Sequence, residues 1–494
     1  MPKSVPRLCS SVFKNVSPLH HSAAFASDSP SPSSSSPAAA ALPLNEVKRK
    51  YSAEIDQLSA SITEFCSGSF ERNRELHARV RPVVAELERA VCDAGGRSRL
   101  ALIGSIPSGM AIDASADIDL AFLYTGGSKE QRERFLNDFW AKTSNGFVRI
   151  FMEAIAEALT NFCDAHPSSD YRLSKPPAVI VQTTAPVIIC RMDNGLNMDI
   201  QFPRADFQAV RNTLMVRYYV QTDRRFLQLF HWLRRMFQQM GLKNSKNGLF
   251  SSYHVLMLVL HFLNRKEVPN NVLPALVQFP AHVRDQLFAP NVSDIVRRLE
   301  EPPSLERFPF WRNKCSKSVG ELAVELVDYY ALFDPQKRAI SIRFGRLQHR
   351  QRKYGPWLNV FDPFHPKSVT RSCLHAEALV LGFQFLRDQM TEGKHLATFP
   401  LLNGLAEEFG EHARQRGIRW TKSLNAHVDV HTPLDDFEQS PEEQEEDGEE
   451  MDEEVNDDDD DFKQSLEEQG AGKVEGEVNH DKFKQSGGLR RRRR

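Results

Sequence analysis

Apolar residues recur every three to four positions from Asn45 to Phe65, with Ile55, Leu58, Ile62 and Phe65 in phase, and again from Phe70 to Ala94. That spacing predicts two amphipathic helices. Pro82 is expected to kink the second or start a new one, and Ala94-Gly95-Gly96 to stop it. From Arg99 to Ile103 the chain turns almost wholly apolar and predicts a buried strand. A second strand begins where Ile118 and Leu120 alternate with Asp117 and Asp119, and Gly126-Gly127 breaks the chain after it. Lys129 to Ala165 returns to a helical period, as one long helix or two. Val179 to Thr183 and Val187 to Met192 read as strands. The latter runs through Asp193-Asn194-Gly195, a tight-turn sequence, into Leu196–Phe202. This hairpin puts Met198, Ile200 and Phe202 on one face and Asp199 on the other. From Phe207 to about Met390 the pattern is predominantly helical, interrupted by Pro269, Pro274, Pro280 and Pro302-Pro303. Strands followed by a run of helices predict an α+β protein: a small mixed-sheet domain, a mainly helical second domain, and a cleft between them.

The strand positions carry the candidate chemistry. Asp117 and Asp119 are two residues apart, so both carboxylates point to one side of a strand while Ile118 and Leu120 pack behind. A short loop upstream, Gly104-Ser105 forms a turn with the backbone N–H groups and hydroxyl to hold a terminal phosphate. Convergent carboxylates beside a phosphate site suit Mg²⁺, a hard cation shared between protein oxygens and substrate phosphates, with Mn²⁺ as the alternative. Asp199, on the exposed face of the hairpin, adds the third carboxylate that two-metal transfer to a hydroxyl requires.

Gly-Ser, Asp-hydrophobic-Asp and a third hydrophobic-Asp-hydrophobic strand, in that order, resemble the DNA polymerase β-like nucleotidyltransferases. More narrowly, the chain resembles the noncanonical poly(A) polymerases and terminal RNA uridylyltransferases, from about Ser98 to about Gln384. Further matches are Arg211-Asn212-Thr213 with Tyr218 and Asp223-Arg224-Arg225, the helix around Ser251-Ser252-Tyr253, and Phe361-Asp362-Pro363-Phe364. The resemblance implies a palm domain and a poly(A) polymerase-associated helical domain. It implies that Gly104 and Ser105 hold the β- and γ-phosphates, that Asp117 and Asp119 bind metal, and that Asp199 orients and helps deprotonate an RNA 3′-hydroxyl. Asn212 and Thr213 would bond ribose and triphosphate, Ser252 would touch phosphate, and Tyr253 would stack on the base. Asp362 would accept the uracil N3–H, which favours UTP over ATP.

Three motifs depart from the family pattern. Ala116 stands where a serine usually precedes the first metal aspartate, Ser115 lying one residue earlier. The two lysines of the triphosphate helix fall at Phe230 and Arg234, leaving Arg235, Lys243 or Lys246 to compensate. After Asp-Pro-Phe, His365 takes the usual glutamate position and Ser368 that of a histidine favouring UTP.

Charge sharpens the picture. The net charge of −2 over 494 residues conceals 23 acidic against 9 basic residues in 435–494, which leaves a net of +12 for the rest. A basic body fits a phosphate-backbone partner. Seven cysteines without a Cys-x-x-Cys pair indicate neither a zinc ribbon nor a disulfide framework, and no apolar run is long enough to cross a membrane. Met1 to Ser27 is basic and serine-rich with no acidic residue, like a mitochondrial transit peptide. The expected organisation is a transit peptide and Ser/Pro/Ala linker to residue 43, N-terminal helices over 44–97, a catalytic domain over 98–206, and a helical domain over 207–400. A C-terminal extension over 401–433 and a disordered acidic tail over 434–494, ending in five arginines, complete it. The function expected is template-independent, two-metal addition of UMP from UTP to RNA 3′ ends in the mitochondrion. A poly(A) polymerase using ATP is the alternative. A catalytically inactive subunit of an RNA-processing protein complex is the contrasting class.

Overall fold

A computed structural model describes residues 43–416, except for internal stretches of which the longest are 129–146, 351–357, 167–171 and 371–375. The N-terminal segment, the acidic tail, the 129–146 part of the third predicted helix, Thr183, Ser115 and Lys246 lie outside the described residues.

A five-stranded mixed sheet forms from β1 (Ser98–Ile103), β2 (Ile118–Tyr124), β3 (Leu173–Ile180), β4 (Val187–Met192) and β5 (Asn197–Gln201), in the order β1-β2-β5-β4-β3. Only β2 and β5 pair in parallel. The expected hairpin is β4–β5, with Asn194 Oδ1 accepting from the Leu196 N–H across the turn at 3.0 Å. Beyond the expected 179–183, β3 extends back to Leu173 through Pro176 and Pro177. It is the sheet's edge, its pairing slips between Lys175 and Ala178, and prolines are tolerated where no ladder donor is needed.

The two faces of the sheet serve different cores. Leu100, Leu102, Leu120 and Phe122 pack with Ile188 and Ile200 against helices α3 (Ser69–Gly95) and α5 (Phe147–Ala165), and Phe122 stacks on Phe202 at 4.9 Å. The intervening residues Ala101, Ile103, Ala121 and Leu123 join the core of the helical region. Helix α3 runs on through Pro82 rather than ending there, because Val80, Val83 and Val84 bury the flanking turns. The expected helix over 45–65 is two, α1 (Leu44–Lys50) and α2 (Ser52–Phe65), which pack in the helical core and not with α3 on the sheet. A short helix, α4 (Ser105–Ser108), follows β1.

The helical region contains α6 (Gln208–Thr222), α7 (Arg225–Gln239), α8 (Ser252–Asn264), α9 (Ala281–Phe288), α10 (Ser293–Glu300), α11 (Val319–Ala331), α12 (Ala376–Thr391) and α13 (Leu405–Gln415). Helix α6 is buried on nearly every side, as befits a central helix. Its buried Arg217 donates to the carbonyls of Arg298, Glu301 and Pro302, satisfying the C-terminal end of α10, and burial lowers its pKa to about 10. A three-stranded sheet breaks the helical pattern: β6 (Arg338–Ser341), β7 (Arg346–His349) and β8 (Val360–Phe361), ordered β7-β6-β8. It was not expected from sequence; strands of two to four residues are too short for a period-of-two signal to register. No helix among the described residues is long and apolar enough to cross a membrane. Val255–Leu263, the longest apolar run, is core helix, with His261 buried and bonded to the Tyr329 hydroxyl at 3.0 Å.

Candidate active site

Register brings the carboxylates together. Asp119 pairs with Ile103 on β1 and with Asp199 on β5, so the two aspartates sit side by side on adjacent strands. Ile118 and Leu120, Met198 and Ile200 point into the core behind the sheet, which leaves both aspartates on the face towards the helices. Asp117 stands just ahead of β2 and is exposed. Burial, then the charges of Asp199 and Asp117, push Asp119 up to about 7. Asp199 is raised as well, chiefly by burial and against the pull of Arg191, whose Nη1 donates to its Oδ1 at 3.1 Å.

The turn after β1 is built around Gly104. Its φ of +78° lies in the region that favours glycine, and a Cβ there would collide with Oδ2 of Asp119. Its N–H donates to Thr213 Oγ1 at 3.0 Å, and that hydroxyl donates in turn to the Ala209 carbonyl at 2.7 Å. Gly104 is thus committed to joining the Gly-Ser turn to α6, and Thr213 to the same joint. Ser105 follows in the cavity wall.

A cavity of about 730 Å³ runs between this face of the sheet and helices α6, α7 and α8. Gly104, Ser105, Asp117, Asp119, Asn212, Thr213, Arg234, Ser252 and Tyr253 all line it. Asp199 and Asp362 do not, and stand one contact behind. Phe230 and Arg234, a helical turn apart on α7, both reach the cavity, so one cation stands where the resemblance implies two. Of the three candidate replacements, Lys243 is half-buried and close enough to feel both Arg234 and Asp117; its pKa is lowered by burial and by Arg234, while Asp117 opposes the shift. Arg235 is not part of the cavity wall.

At the far end, Tyr253 is anchored through its hydroxyl, which donates to Asp362 Oδ2 at 3.4 Å. The same oxygen accepts from Gln208 Nε2 and from Asn212 Nδ2, and Oδ1 accepts from the Phe364 N–H at 2.7 Å. Asp362 is only 5% exposed, and its oxygens are engaged by the protein itself. It orders the pocket; it does not present a free acceptor to a base. Ser368, also buried, bonds Val360 and Thr370 and takes no part in the cavity, whereas His365 lines it. Asn212 is oriented by its amide donating to Asp362, which leaves its buried Oδ1 without a protein partner. Helix α8 opens at the cavity with a capping box: Ser251 Oγ accepts from the His254 N–H, and His254 Nδ1 accepts from the Ser251 N–H. Burial lowers the His254 pKa to about 4, so the ring is neutral and its Nε2 donates to the Val369 carbonyl at 2.9 Å.

Gln208 and His231 are lining residues that sequence reasoning missed. Gln208 opens α6 and His231 directly follows Phe230, so position along those helices was the available signal.

The donor set fits a divalent cation: all-oxygen ligands, held in register, with one carboxyl pushed towards neutrality by burial and then by its neighbours' charge. Among the described residues, no three acidic, histidine or cysteine side chains already close to ligand distance. Arg191 offsets the charge of Asp199 in this arrangement.

No protein-family profile matches the sequence. The chain is 24% identical over 293 residues to poly(A) RNA polymerase gld-2 homolog B of Drosophila melanogaster, covering 56% of this chain and 19% of that protein. It is 24% identical over 294 residues to poly(A) RNA polymerase GLD2-B of Xenopus laevis, covering 58% and 51%. The chain therefore spans about half the length, or less, of these curated relatives. Among solved structures, mtPAP in complex with GTP shares the fold, with a TM-score of 0.50 at 17% identity over 79% of this chain and 80% of that one. With paired carboxylates beside a Gly-Ser turn and a helical wall across the cavity, the chain is similar in sequence to the poly(A) RNA polymerases and shares the fold of mtPAP, in keeping with its resemblance to the noncanonical poly(A) polymerases and terminal uridylyltransferases.

Proposed function

We propose that this protein is a template-independent nucleotidyltransferase that extends RNA 3′ ends. One observation carries the reading: a nucleotide-sized cavity has Asp119 in one wall, with Asp199 in register behind it, and the unpartnered, buried Oδ1 of Asn212 in the other. Two carboxylates and a phosphate turn suit a triphosphate, and an acceptor held across the cavity suits a ribose hydroxyl. In the reaction, the RNA 3′ oxygen attacks the α-phosphorus, the bond to the β-phosphate breaks, and pyrophosphate leaves. Asp199 accepts the proton of the attacking hydroxyl. Arg234, with Lys243 behind it, offsets the charge of the triphosphate, and Tyr253 offers its ring to the base. Mg²⁺, or Mn²⁺ in its place, held by Asp117 and Asp119 and shared with Asp199, would neutralise the phosphates and activate the hydroxyl.

For the donor, ATP has the stronger support. The argument for UTP rested on Asp362 as an acceptor for uracil, and that carboxylate is taken up by Gln208, Asn212, Tyr253 and Phe364. The curated relatives are named poly(A) RNA polymerases. UTP remains the second reading because His365, a histidine of the loop after Asp362, lines the same cavity as Tyr253. Purified full-length protein given a single-stranded RNA, Mg²⁺ and each nucleoside triphosphate in turn is expected to show kcat/KM for ATP about tenfold or more above UTP. A preference for UTP would reverse the donor assignment. Extension with none of the four would reject the enzyme and leave the inactive-subunit alternative.

Mitochondrial targeting is proposed from the basic, acid-free composition of Met1–Ser27. Residues 1–43 fused to a fluorescent protein should deliver it to mitochondria. Diffuse fluorescence in the surrounding cytoplasm would count against this.

A further inference from the structure

The β6–β7 hairpin carries a feature that the cavity does not use. Arg343 and Arg346, in and just after its turn, are exposed, and among the described residues neither guanidinium has a hydrogen-bond or ion-pair partner. Both instead lie against aromatic rings. Arg343 sits 5.4 Å from the Phe288 ring and 5.4 Å from that of Phe344, and Arg346 lies 5.3 Å from Phe344. Phe288, at the end of α9, is 39% exposed and packs at 5.1 Å on Phe364. Phe364 follows Asp362-Pro363 and precedes His365, which lines the cavity. A continuous track of arginine planes and rings therefore leads from the surface to the base end of the site. A hollow of about 280 Å³ beside it is lined by Arg284, Phe288 and Arg343, with Asp285 as its acidic member, and Arg284 Nε is buried there without a partner.

The track is held rigidly. The Val277 N–H donates to the Arg343 carbonyl at 3.2 Å, the Lys266 N–H to that of Gly345 at 2.9 Å, and the Ile342 N–H to that of Phe361 at 3.1 Å. Gly345 has a φ of +59° and no room for a Cβ against the Asn264 carbonyl. The turn can lie that close to α8 only with glycine there, and its arginines are displayed on a fixed base.

We propose that this arginine–aromatic track binds single-stranded RNA, holding the nucleotides upstream of the 3′ end as that end enters the cavity. Unpaired guanidiniums complement phosphates, and guanidinium planes and phenyl rings stack on bases of any sequence. Exposed arginine without an acidic partner, next to rings that water solvates poorly, fits a polyanion with flat apolar bases better than an acidic protein segment, which lacks the rings' counterpart. The assignment rests on the RNA-directed reading of the site.

The test is RNA binding, read without any nucleotide transfer. Anisotropy of a fluorescent single-stranded RNA of roughly 15 nucleotides, a length suited to one binding surface, is measured with the full chain and with the Arg343→Gln/Arg346→Gln variant. Kd is expected to rise about tenfold, and the slope of log Kd against log salt to fall by about 1.4, for two lost phosphate contacts. Both side chains are exposed, so the melting temperature should not change. Phe288→Ala should weaken binding several-fold with the salt slope unaltered, since stacking is not screened. Unchanged affinity and slope in the double variant would overturn the proposal. Should wild-type protein bind RNA through these arginines yet add no nucleotide, the activity fails and the track stands; should it extend RNA while the variant binds normally, the reverse holds. Wild-type protein that binds no RNA overturns both.

Discussion

Asp199→Ala is expected to lower RNA extension by a thousandfold or more while leaving the protein folded and able to bind nucleoside triphosphate. The size follows from removing a main electrostatic group at the reacting oxygen. The selectivity follows from position. Asp199 stands on β5, beside Asp119 and outside the cavity wall, and its proposed task is at the attacking hydroxyl rather than in holding the triphosphate. Asp117→Ala should weaken metal-dependent nucleotide binding as well as turnover, because Asp117 is in the wall itself. Extension assays, nucleotide binding and melting curves on both variants check this; near-normal extension by Asp199→Ala would remove the β4–β5 hairpin from the chemistry.

The same cluster makes a statement about pH. Asp119 is raised from 3.8 to about 7 by burial and by its neighbours' charge. A carboxyl raised on folding contributes stability below its unfolded pKa, and that contribution is lost as pH rises through the folded value. Metal-free protein should therefore lose stability between about pH 4 and pH 7. The loss should be up to a few kcal/mol and flattened in Asp119→Asn. Mg²⁺ or Mn²⁺ should restore stability at the upper end, by binding the folded carboxylates. A flat melting-temperature profile over that window in the wild type would contradict the described crowding of charge.

Gly104→Ala is expected to cost about a hundredfold in kcat/KM and about 1–3 kcal/mol of stability. Two effects combine. Alanine disfavours the left-handed φ of +78°, and its Cβ would strike the carboxylate of Asp119. Relief of that collision must move either the Asp119 carboxylate or the turn, and the turn is fastened to α6 through the Gly104 N–H and Thr213. Either movement shifts the proposed phosphate turn relative to the carboxylates, and a displacement of about 1 Å is enough for the stated loss. Ser105→Ala, which leaves the backbone in place, should cost less. Equal activity of wild type and Gly104→Ala under saturating nucleotide would show that the turn does not set the geometry of the site.

Much of the site was legible because its signals are local. Alternation in Asp117-Ile118-Asp119-Leu120 and Met198-Asp199-Ile200 decides which face each carboxylate takes, and a period of two needs no partner to be read. The Asp-Asn-Gly turn sets the β4–β5 hairpin in the same way. What stayed hidden depends on neighbours distant in sequence. Asp362 reads as a free acceptor until α6 brings Gln208 and Asn212 onto it, across some 150 residues of chain. Phe230 reads as a lost cation until the turn after α7 sets Lys243 near Arg234 and Asp117. Arg191 and Asp199 meet only because β4–β5 register puts them diagonally across one face. The strands of the small sheet are too short to announce themselves, yet they carry both the base-end loop and the arginine turn. Side-chain direction along an element follows from the backbone period and is written in sequence, whereas which charge or hydrogen bond a side chain meets is set by which elements pack together.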